Sequence, residues 1–157
     1  MQIRRAEIKD IGKISEMLIQ VNLIHHNGRP DIFKRSKQKY SAEQLKEMLR
    51  DDDKPIFVAV DDNDEAVGYA FCIIRQNKFN SILTDIKTLY VDDLCVDEHR
   101  RGEHIGKELL NFVFEYAKRA GCYNVTLNVW CLNQNALNFY TANGMNPMKV
   151  CMEKILD

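Results

Sequence analysis

The sequence lacks both a long apolar run and an excess of either charge. None of its apolar stretches approaches the roughly 20 residues that span a bilayer, and "MQIRRAEIKD" at the start has no apolar core of signal-peptide length. Its 22 lysines and arginines stand against 23 acidic residues, so the net charge of -1 favours neither a nucleic acid nor a membrane as a partner. We therefore expect a cytoplasmic protein.

The sequence also lacks the cysteine and histidine spacings of disulfide frameworks and metal sites. Its five cysteines form no C-x-x-C pair, and Cys72 and Cys95 lie inside apolar runs, which favours free thiols. The acidic "DDNDE" at 61–65 is followed by Ala66 where an EF-hand needs glycine, so it is interpreted as a hairpin turn. The adjacent histidines at 25 and 26 have no partner at metal-ligand spacing, and no metal site is predicted.

With 157 residues, 45% of them hydrophobic, the chain is predicted to form one domain, residues 1–157. Alternating or apolar runs predict six strands: "IRRAEI", "PIFVAV", "AVGYAFCIIR", "TLYVDDLCV", "YNVTLNVW" and "MKVCMEKIL". Helices are expected after a cap at Asp10, from Ser41 to about Arg50, from Ile105 to just before Gly121, and over "NQNALNFYTANG". Residues 25–40 are predicted to form a loop or an irregular helical connection. This order indicates an α/β domain with a mixed sheet and a β-α-β unit.

The stretch "DEHRRGEHIGKELL" at 97–110 follows a predicted strand and opens a helix. A helix start leaves amides unpaired and favours an anion, and Gly102 and Gly106 permit close approach. The alternative is a solvated capping loop, which two glycines alone would favour. The dinucleotide and P-loop motifs both fail, because only three residues separate the glycines and Lys107 is followed by Glu108. Neither a nicotinamide cofactor nor ATP is implied.

Three polar residues in apolar surroundings are candidates for proton transfer. Asp92 and Asp93 are consecutive in a strand and are expected to point to opposite faces, so one could be a base with a raised pKa. The alternative is that one is exposed and the other pairs with a nearby arginine or lysine. Tyr140 is either a core residue or a phenol donor that faces a cleft. No histidine follows Cys95 at a spacing that would indicate a nucleophile-base pair, so Cys95 is interpreted as core or as backbone lining.

Two motifs resemble those of the GNAT superfamily of N-acetyltransferases. Arg101-Gly102-Glu103-His104-Ile105-Gly106 is similar to the acetyl-CoA signature [Q/R]-x-x-G-x-[G/A]. His104 stands where a glycine is usual; since a helix start need not adopt a positive φ, a side chain that points away from the phosphates is physically possible there. Asn133 to Tyr140, followed by Gly144-Met145, resembles N-x-x-A-x-x-[F/L]-Y-x-x-x-G-[F/M]. The resemblance extends over nearly the whole chain.

The resemblance implies a single-domain GNAT-like fold: a mixed, mostly antiparallel sheet with a central parallel β-α-β unit and helices on both faces. It implies acetyl-CoA as cosubstrate, without a metal, with its pyrophosphate on the amides of residues 102–107 and its pantetheine arm along residues 94–96. The cofactor residues implied in this way are Leu94, Cys95, Val96, Arg101, Gly102, Glu103, His104, Ile105, Gly106, Lys107, Asn133, Asn135, Ala136 and Tyr140.

The resemblance also implies the chemistry. Tyr140 would be the acid that protonates the leaving thiolate, and Asp92 or Asp93 would help to accept the proton of an amine that attacks directly. Asp92 matches a strand carboxylate of the spermidine/spermine acetyltransferases, and with Phe33 it would line the acceptor side, where Tyr40 is a second aromatic candidate. A basic cluster nearby would repel a polyamine unless it faces solvent or the CoA phosphates: Arg29, Lys34, Arg35, Lys37 and Lys39.

The leading hypothesis is an acetyl-CoA-dependent acyltransferase that acts on a primary amine of a small molecule or a protein. The alternative is a non-catalytic acyl-CoA-binding or regulatory module of the same fold, which His104 and the undecided base would favour. Nucleic-acid binding is disfavoured, because the basic cluster lacks interleaved aromatic residues. Many members of the superfamily pair, so a homodimer is compatible with the resemblance.

Overall fold

The structure, a computed structural model, describes residues 1–35 and 37–156. Its sheet has the order β1-β2-β3-β4-β5, in which β1 to β4 are antiparallel neighbours and β4 and β5 are parallel. The parallel pair therefore lies at one end of the sheet in the described part of the chain. The strands are β1 (Gln2–Arg5), β2 (Ile56–Val60), β3 (Ala66–Gln76), β4 (Lys87–Val96) and β5 (Asn124–Leu127).

Helices cover both faces of this sheet. They are α1 (Ile11–Gly28), α2 (Ala42–Met48), α3 (Ile105–Arg119) and α4 (Gln134–Ala142). On one face α1 and α2 bury Leu18 and Leu45 against Tyr69 and Phe71, while on the other face α3 packs its apolar stripe against residues such as Phe57. The predicted α/β GNAT-like fold is confirmed, and its β-α-β unit is β4-α3-β5.

Helix α1 is longer than the sequence predicted. It continues through His25 and His26 to Gly28, where a loop was expected from residue 25. The added turn is held by tertiary contacts: the His25 ring stacks on Phe33 with centroids 5.0 Å apart, and Nδ1 of His26 lies 2.7 Å from the Phe33 carbonyl oxygen. Contacts of this kind stabilise a helix over a stretch whose composition alone is typical of a loop.

The start of α1 also differs from the prediction. Asp10 precedes the helix but makes no side-chain cap; its buried carboxylate accepts hydrogen bonds from the Arg4 guanidinium at 2.7 and 3.0 Å and from the Glu7 amide at 2.7 Å. The predicted first strand ends at Arg5, because a 3-10 turn occupies Ile8–Asp10. By contrast, Ser41 caps α2 as predicted, accepting from the Gln44 amide at 3.2 Å.

The predicted last strand, "MKVCMEKIL" at 148–156, is wrong. The segment has no regular secondary structure, and its five large apolar side chains are 71% to 85% exposed. A period-two pattern forms a strand only beside another strand, and no described backbone group is hydrogen-bonded to this segment. The predicted "YNVTLNVW" strand is likewise reduced to β5.

Close packing at Gly68 sets the height of α3 above the sheet. A Cβ atom on Gly68 would lie 3.0 Å from the Cys95 carbonyl oxygen and 3.0 Å from Cδ1 of Leu109. Gly68→Ala is therefore expected to lower the free energy of unfolding by about 1–3 kcal/mol, which calorimetry would detect as a midpoint several degrees lower.

The matched control for this prediction is Gly12→Ala in α1. A Cβ atom there meets nothing within 4 Å, so the variant is expected to gain up to about 1 kcal/mol from helix propensity. Equal midpoints for the two variants would contradict the close packing of α3 on β3.

Candidate active site

The loop before α3 forms a cradle of backbone amides, residues 102–107. A 3-10 turn at Glu98–Arg100 is followed by two residues with positive φ, Gly102 at 88° and His104 at 63°. The first hydrogen bond within α3 runs from the Glu108 amide to the His104 carbonyl oxygen at 3.1 Å. The amides of residues 105–107 thus have no acceptor within the helix, and this end carries partial positive charge that suits an anion.

The charged side chains around the cradle fall into two groups. Arg100 is held by Glu103 at 2.8 and 2.9 Å and lies 3.7 Å from Asp61. Arg101 and Lys107 are exposed and form no ion pair with any residue that the structure describes. They are therefore the two predicted side chains that are free to approach an anion at the cradle.

His104 departs from the sequence expectation. It adopts φ 63° and ψ 8°, the left-handed region, whereas a helix start was expected not to require a positive φ. The chain must turn sharply to enter α3, and that turn imposes a conformation that costs a residue with a Cβ roughly 1–2 kcal/mol. The usual glycine of the resembling motif is explained by the same geometry.

His104→Gly is expected to raise the free energy of unfolding by up to about 1 kcal/mol, because relieved strain exceeds the added freedom of the unfolded chain. If the cradle binds coenzyme A, as the resemblance implies, the dissociation constant should also fall, since the cradle conformation costs less to hold. Phe79→Gly is the control: Phe79 has φ 62° and is fully exposed in the β3–β4 loop, so it should change stability alone. Weaker binding by His104→Gly in titration calorimetry would show instead that the imidazole itself contributes.

Beyond the cradle, β4 has one free edge. Its parallel pairing with β5 ends at Val91 and Leu127, although β4 continues to Val96. Residues 94–96, which the resemblance assigns to the pantetheine arm, pair with β3 on one side and have no described strand on the other. An extended ligand with amide groups could bind there as a strand does.

Gln20 of α1 fastens the end of β4. Its Nε2 donates to the Val96 carbonyl oxygen at 3.1 Å, and its Oε1 accepts from the Glu98 amide at 3.1 Å. One side chain thus joins α1 to both sides of the junction between β4 and the cradle. The neighbouring Cys95 is buried, which raises the pKa of its thiol to about 12 and makes it a poor nucleophile.

The two strand aspartates face the same side of the sheet, which corrects the expectation of opposite faces. In the register of β3 and β4, Phe71 is opposite Asp93 and Cys72 is opposite Val91, so Asp92 is the extra residue of a β-bulge. A bulge breaks the alternation of side chains. Both carboxylates therefore reach tyrosines on the α1 and α2 side of the sheet.

The two carboxylates have different surroundings. Asp92 accepts from the Tyr40 hydroxyl at 2.6 Å and pairs with Nζ of Lys39 at 2.8 Å, so its charge is compensated. Among the side chains that the structure describes, the Tyr69 hydroxyl donates a longer hydrogen bond to Asp93, at 3.3 Å. Burial raises the pKa of Asp93 to about 6, although the charge of Lys39 lowers it. The pKa of Asp93 therefore lies above that of an ordinary aspartate.

Tyr140 of α4 lies close to this pair. Burial, first, and then the charge of Asp93 and the thiol of Cys95 raise the pKa of its phenol well above the usual range. Its hydroxyl makes no hydrogen bond to any residue within 1–35 or 37–156. A protonated phenol without a partner is available to donate to a ligand. Helix α4 is positioned by Phe139, whose ring would lie 3.4 Å from a Cβ atom on Gly106.

A cavity of about 280 Å³ lies between the end of α1 and the start of α4. The Phe33 ring stands between His25 at 5.0 Å and Trp130 at 5.3 Å, measured between centroids. Asn133 and Asn135 also line the cavity, so predicted acceptor and cofactor residues meet here. The sequence placed Trp130 at the end of a predicted strand and His25 in a predicted loop, and neither residue was assigned to the site.

Other predicted residues have different surroundings. Tyr40 does not line this cavity: it stacks on Phe71 with centroids 5.5 Å apart. Asn133 caps α4 by accepting from the Ala136 amide at 3.1 Å. The basic cluster is partly neutralised, because Lys39 pairs with Asp92 and Arg29 pairs with Asp31 and Glu153.

A larger hollow of about 460 Å³ lies beside β1 and the β2–β3 turn and includes none of the predicted residues. No group of three histidine, cysteine or acidic side chains within 1–35 and 37–156 could hold a metal ion. In the same ranges no helix has the length and apolar character needed to cross a membrane.

The mixed α/β sheet with its strand-to-helix junction between β4 and α3, taken with the two sequence motifs, agrees with the class of N-acetyltransferases. The chain belongs to the acetyltransferase (GNAT) family, whose family model matches residues 22–145. It is therefore an enzyme of that family, as the two sequence motifs predicted.

Similar proteins are found among known enzymes and solved structures. Glucosamine 6-phosphate N-acetyltransferase of Arabidopsis thaliana is 28% identical over 106 residues, 68% of each chain. An N-acetyltransferase of Methanocaldococcus jannaschii is 29% identical over 114 residues, 73% of this chain but about half, 49%, of its own length. The solved structure of a mutant BH1408 protein of Bacillus halodurans is 29% identical, with a TM-score of 0.94 over 99% of both chains.

Proposed function

We propose that this enzyme transfers the acetyl group of acetyl-CoA to a primary amine by direct attack in a ternary complex. The observation that carries the proposal is the convergence of Asp93 and Tyr140 beside the free edge of β4. One group has a pKa near neutrality and the other holds its proton, which suits a base and an acid. We also propose that residues 1–157 form one catalytic domain.

The chain offers matching groups for each part of the cosubstrate. The free amides of residues 105–107, with exposed Arg101 and Lys107, suit the charge of a pyrophosphate. The free edge of β4 at residues 94–96 suits the amides of a pantetheine arm. When bound, acetyl-CoA supplies an acetyl group activated as a thioester.

We assign the proton transfers to two side chains. Asp93 accepts the proton of the amine, held in place by the Tyr69 hydroxyl. The Tyr140 hydroxyl donates a proton to the departing sulfur, because its pKa is raised and it remains protonated. Asp92, already bonded to Lys39 and Tyr40, is proposed as a positioning residue that fixes the bulge.

For the acceptor we propose the cavity lined by Phe33 and Trp130. Its aromatic walls and asparagine amides suit a polar molecule that also presents an apolar or flat surface. The acceptor is an amine of a small molecule or of a protein. Glucosamine 6-phosphate belongs in a test panel, because the Arabidopsis relative is named for it.

Thermal unfolding and turnover together test the proposal. Acetyl-CoA and CoA are expected to raise the unfolding midpoint, while ATP and NAD leave it unchanged. Thiol release is then measured with glucosamine 6-phosphate, a polyamine and a lysine peptide as acceptors. A midpoint that does not move with CoA would contradict the cradle, whereas a rise without turnover on any amine would favour a binding module.

We further propose a compartment and an oligomeric state for this protein. The five cysteines are all free, which suits a reducing compartment such as the cytoplasm. We also propose a homodimer, supported by the apolar side chains that remain exposed in segment 147–156.

A further inference from the structure

Lys39 neutralises one of the two carboxylates on the proposed acceptor side. Its Nζ lies 2.8 Å from Oδ2 of Asp92 and 3.3 Å from the Asp92 carbonyl oxygen, so one ammonium donates to the side chain and to the backbone of the same residue. The side chain of Asp92 is 15% exposed, whereas that of Lys39 is 43% exposed. The ammonium therefore lies on the solvent side of the carboxylate that it neutralises.

Tyr40 holds this ion pair in place. Its hydroxyl donates to the same carboxylate oxygen, Oδ2 of Asp92, at 2.6 Å, and the Lys39 ammonium lies 5.5 Å from the centre of its ring. The ring itself stacks on Phe71 of the sheet. A cation beside a carboxylate and near an aromatic ring is attracted by both. The fold, and not a single exposed contact, thus fixes the ammonium at Asp92.

The charge of Lys39 acts on two groups of the proposed reaction site. It opposes the effect of burial on the pKa of Asp93, the proposed base. Burial, first, and then the same charge lower the pKa of His25, which lines the acceptor cavity. The influence of one charge falls off with distance, so Lys39 lies near both the cavity and the carboxylates.

The loop between α1 and α2, which carries Lys39, adds further positive charge. It has five basic residues and one acidic residue. Arg29 and Lys39 have carboxylate partners, whereas Lys34, Arg35 and Lys37 are exposed and form no ion pair with any residue in the described ranges. A polycation that approaches from this side is repelled by like charge, while an anionic group is attracted.

We propose that Lys39 determines which amines the enzyme accepts, because its ammonium takes the place on Asp92 that a second cation of the acceptor would need. The proposal rests on the proposed function, since it concerns the acceptor of that reaction. A polyamine would have to displace a fixed ammonium and leave it without its partner. An amine with a single positive charge, such as an amino sugar, presents that charge to Asp93 alone. The acceptor is therefore a monoamine, and an anionic group elsewhere on it is favoured by the loop.

The first test measures binding and does not depend on turnover. Spermidine, a triamine, is titrated calorimetrically into the wild type and into Lys39→Met, which removes the ammonium and keeps the hydrogen bond from Tyr40 to Asp92. The dissociation constant should fall by about tenfold or more, because Asp92 becomes available to a cation of the ligand. Lys37→Met removes the same charge two residues away and should lower the constant by about threefold at most. Equal constants for the wild type and Lys39→Met, or equal falls in the two variants, would overturn the proposal.

Two further variants test whether the effect passes through Asp92. Adding Asp92→Asn to Lys39→Met should remove the gain in spermidine binding, since the carboxylate that attracts the cation is gone. Lys39→Arg keeps the charge and should bind spermidine as weakly as the wild type. A gain that persists in the double variant would show that Asp92 is not the group that Lys39 blocks, which would also overturn the proposal.

The last test separates this proposal from the proposed function. In thiol release, kcat/KM for spermidine, relative to that for the best acceptor with a single amine, should rise by about tenfold or more in Lys39→Met. Turnover with an unchanged ratio would overturn the role of Lys39 while the acetyltransferase function stands. The expected difference in spermidine binding, without turnover on any amine, would support the role of Lys39 and contradict the proposed function.

Discussion

Tyr140→Phe is expected to lower kcat by about 10²–10⁴-fold while the KM for acetyl-CoA stays close to the wild-type value. The variant keeps the ring that packs against Phe139 and removes only the hydroxyl, which makes no hydrogen bond to a described residue. The thiolate then leaves without a proton donor. Steady-state thiol release at saturating acetyl-CoA measures the effect.

Tyr123→Phe is the matched control for Tyr140→Phe. Tyr123 is exposed beside β5, so the same atom is removed away from the site and the rate should be unchanged. Equal unfolding midpoints would show that neither variant is destabilised. If Tyr140→Phe turns over at the wild-type rate, the proton comes from elsewhere and the assigned acid is wrong.

Asp93→Asn is expected to lower kcat/KM by about 10²–10⁴-fold, since the amide cannot accept the proton of the amine. The wild-type rate should rise about tenfold per pH unit below the Asp93 pKa of about 6 and level off above it. The variant should lose this dependence. Asp92→Asn should cost about tenfold or less, because Lys39 already compensates the charge of Asp92; a larger loss for Asp92→Asn than for Asp93→Asn would reverse the two roles.

Asp93→Asn is also expected to change how the stability of the protein depends on pH. Burial raises the pKa of Asp93 above its unfolded value, so the folded state binds the proton more tightly. The resulting stabilisation is complete below about pH 4 and is lost as the pH rises through about 6. Asp93→Asn has no charge to bury, so at about pH 8 it should unfold at a higher temperature than the wild type. Calorimetry of both proteins at about pH 4 and about pH 8 measures the difference in unfolding midpoint.

The sequence predicted the features that depend on local pattern. The mixed sheet, the Ser41 cap of α2 and the strand-to-helix junction at 97–110 follow from alternation, capping residues and turn residues. The two motifs, one around Gly102 and one ending at Tyr140, were sufficient for the family. These signals depend on residues that are close together in the sequence, so they can be recognised without knowledge of the tertiary contacts.

The remaining features depend on contacts distant in sequence. The bulge at Asp92 arises from the register with β3, and the partner of its carboxylate, Lys39, lies 53 residues away. The turn into α3 imposes the positive φ of His104, although a residue with a Cβ atom does not favour a positive φ. The missing last strand shows the same limit, because alternation specifies a strand but not the edge that receives it.

Helix α1 contacts both ends of the proposed reaction site. The helix has 18 residues and is about 27 Å long; it holds the junction of β4 and the cradle through Gln20, while its last turn presents His25 to the acceptor cavity. A ligand that restricts the conformational freedom of this helix at one end leaves less freedom for a second ligand to remove at the other. If acetyl-CoA and the amine bind at these two places as proposed, each is expected to strengthen the binding of the other by the same factor, whichever binds first.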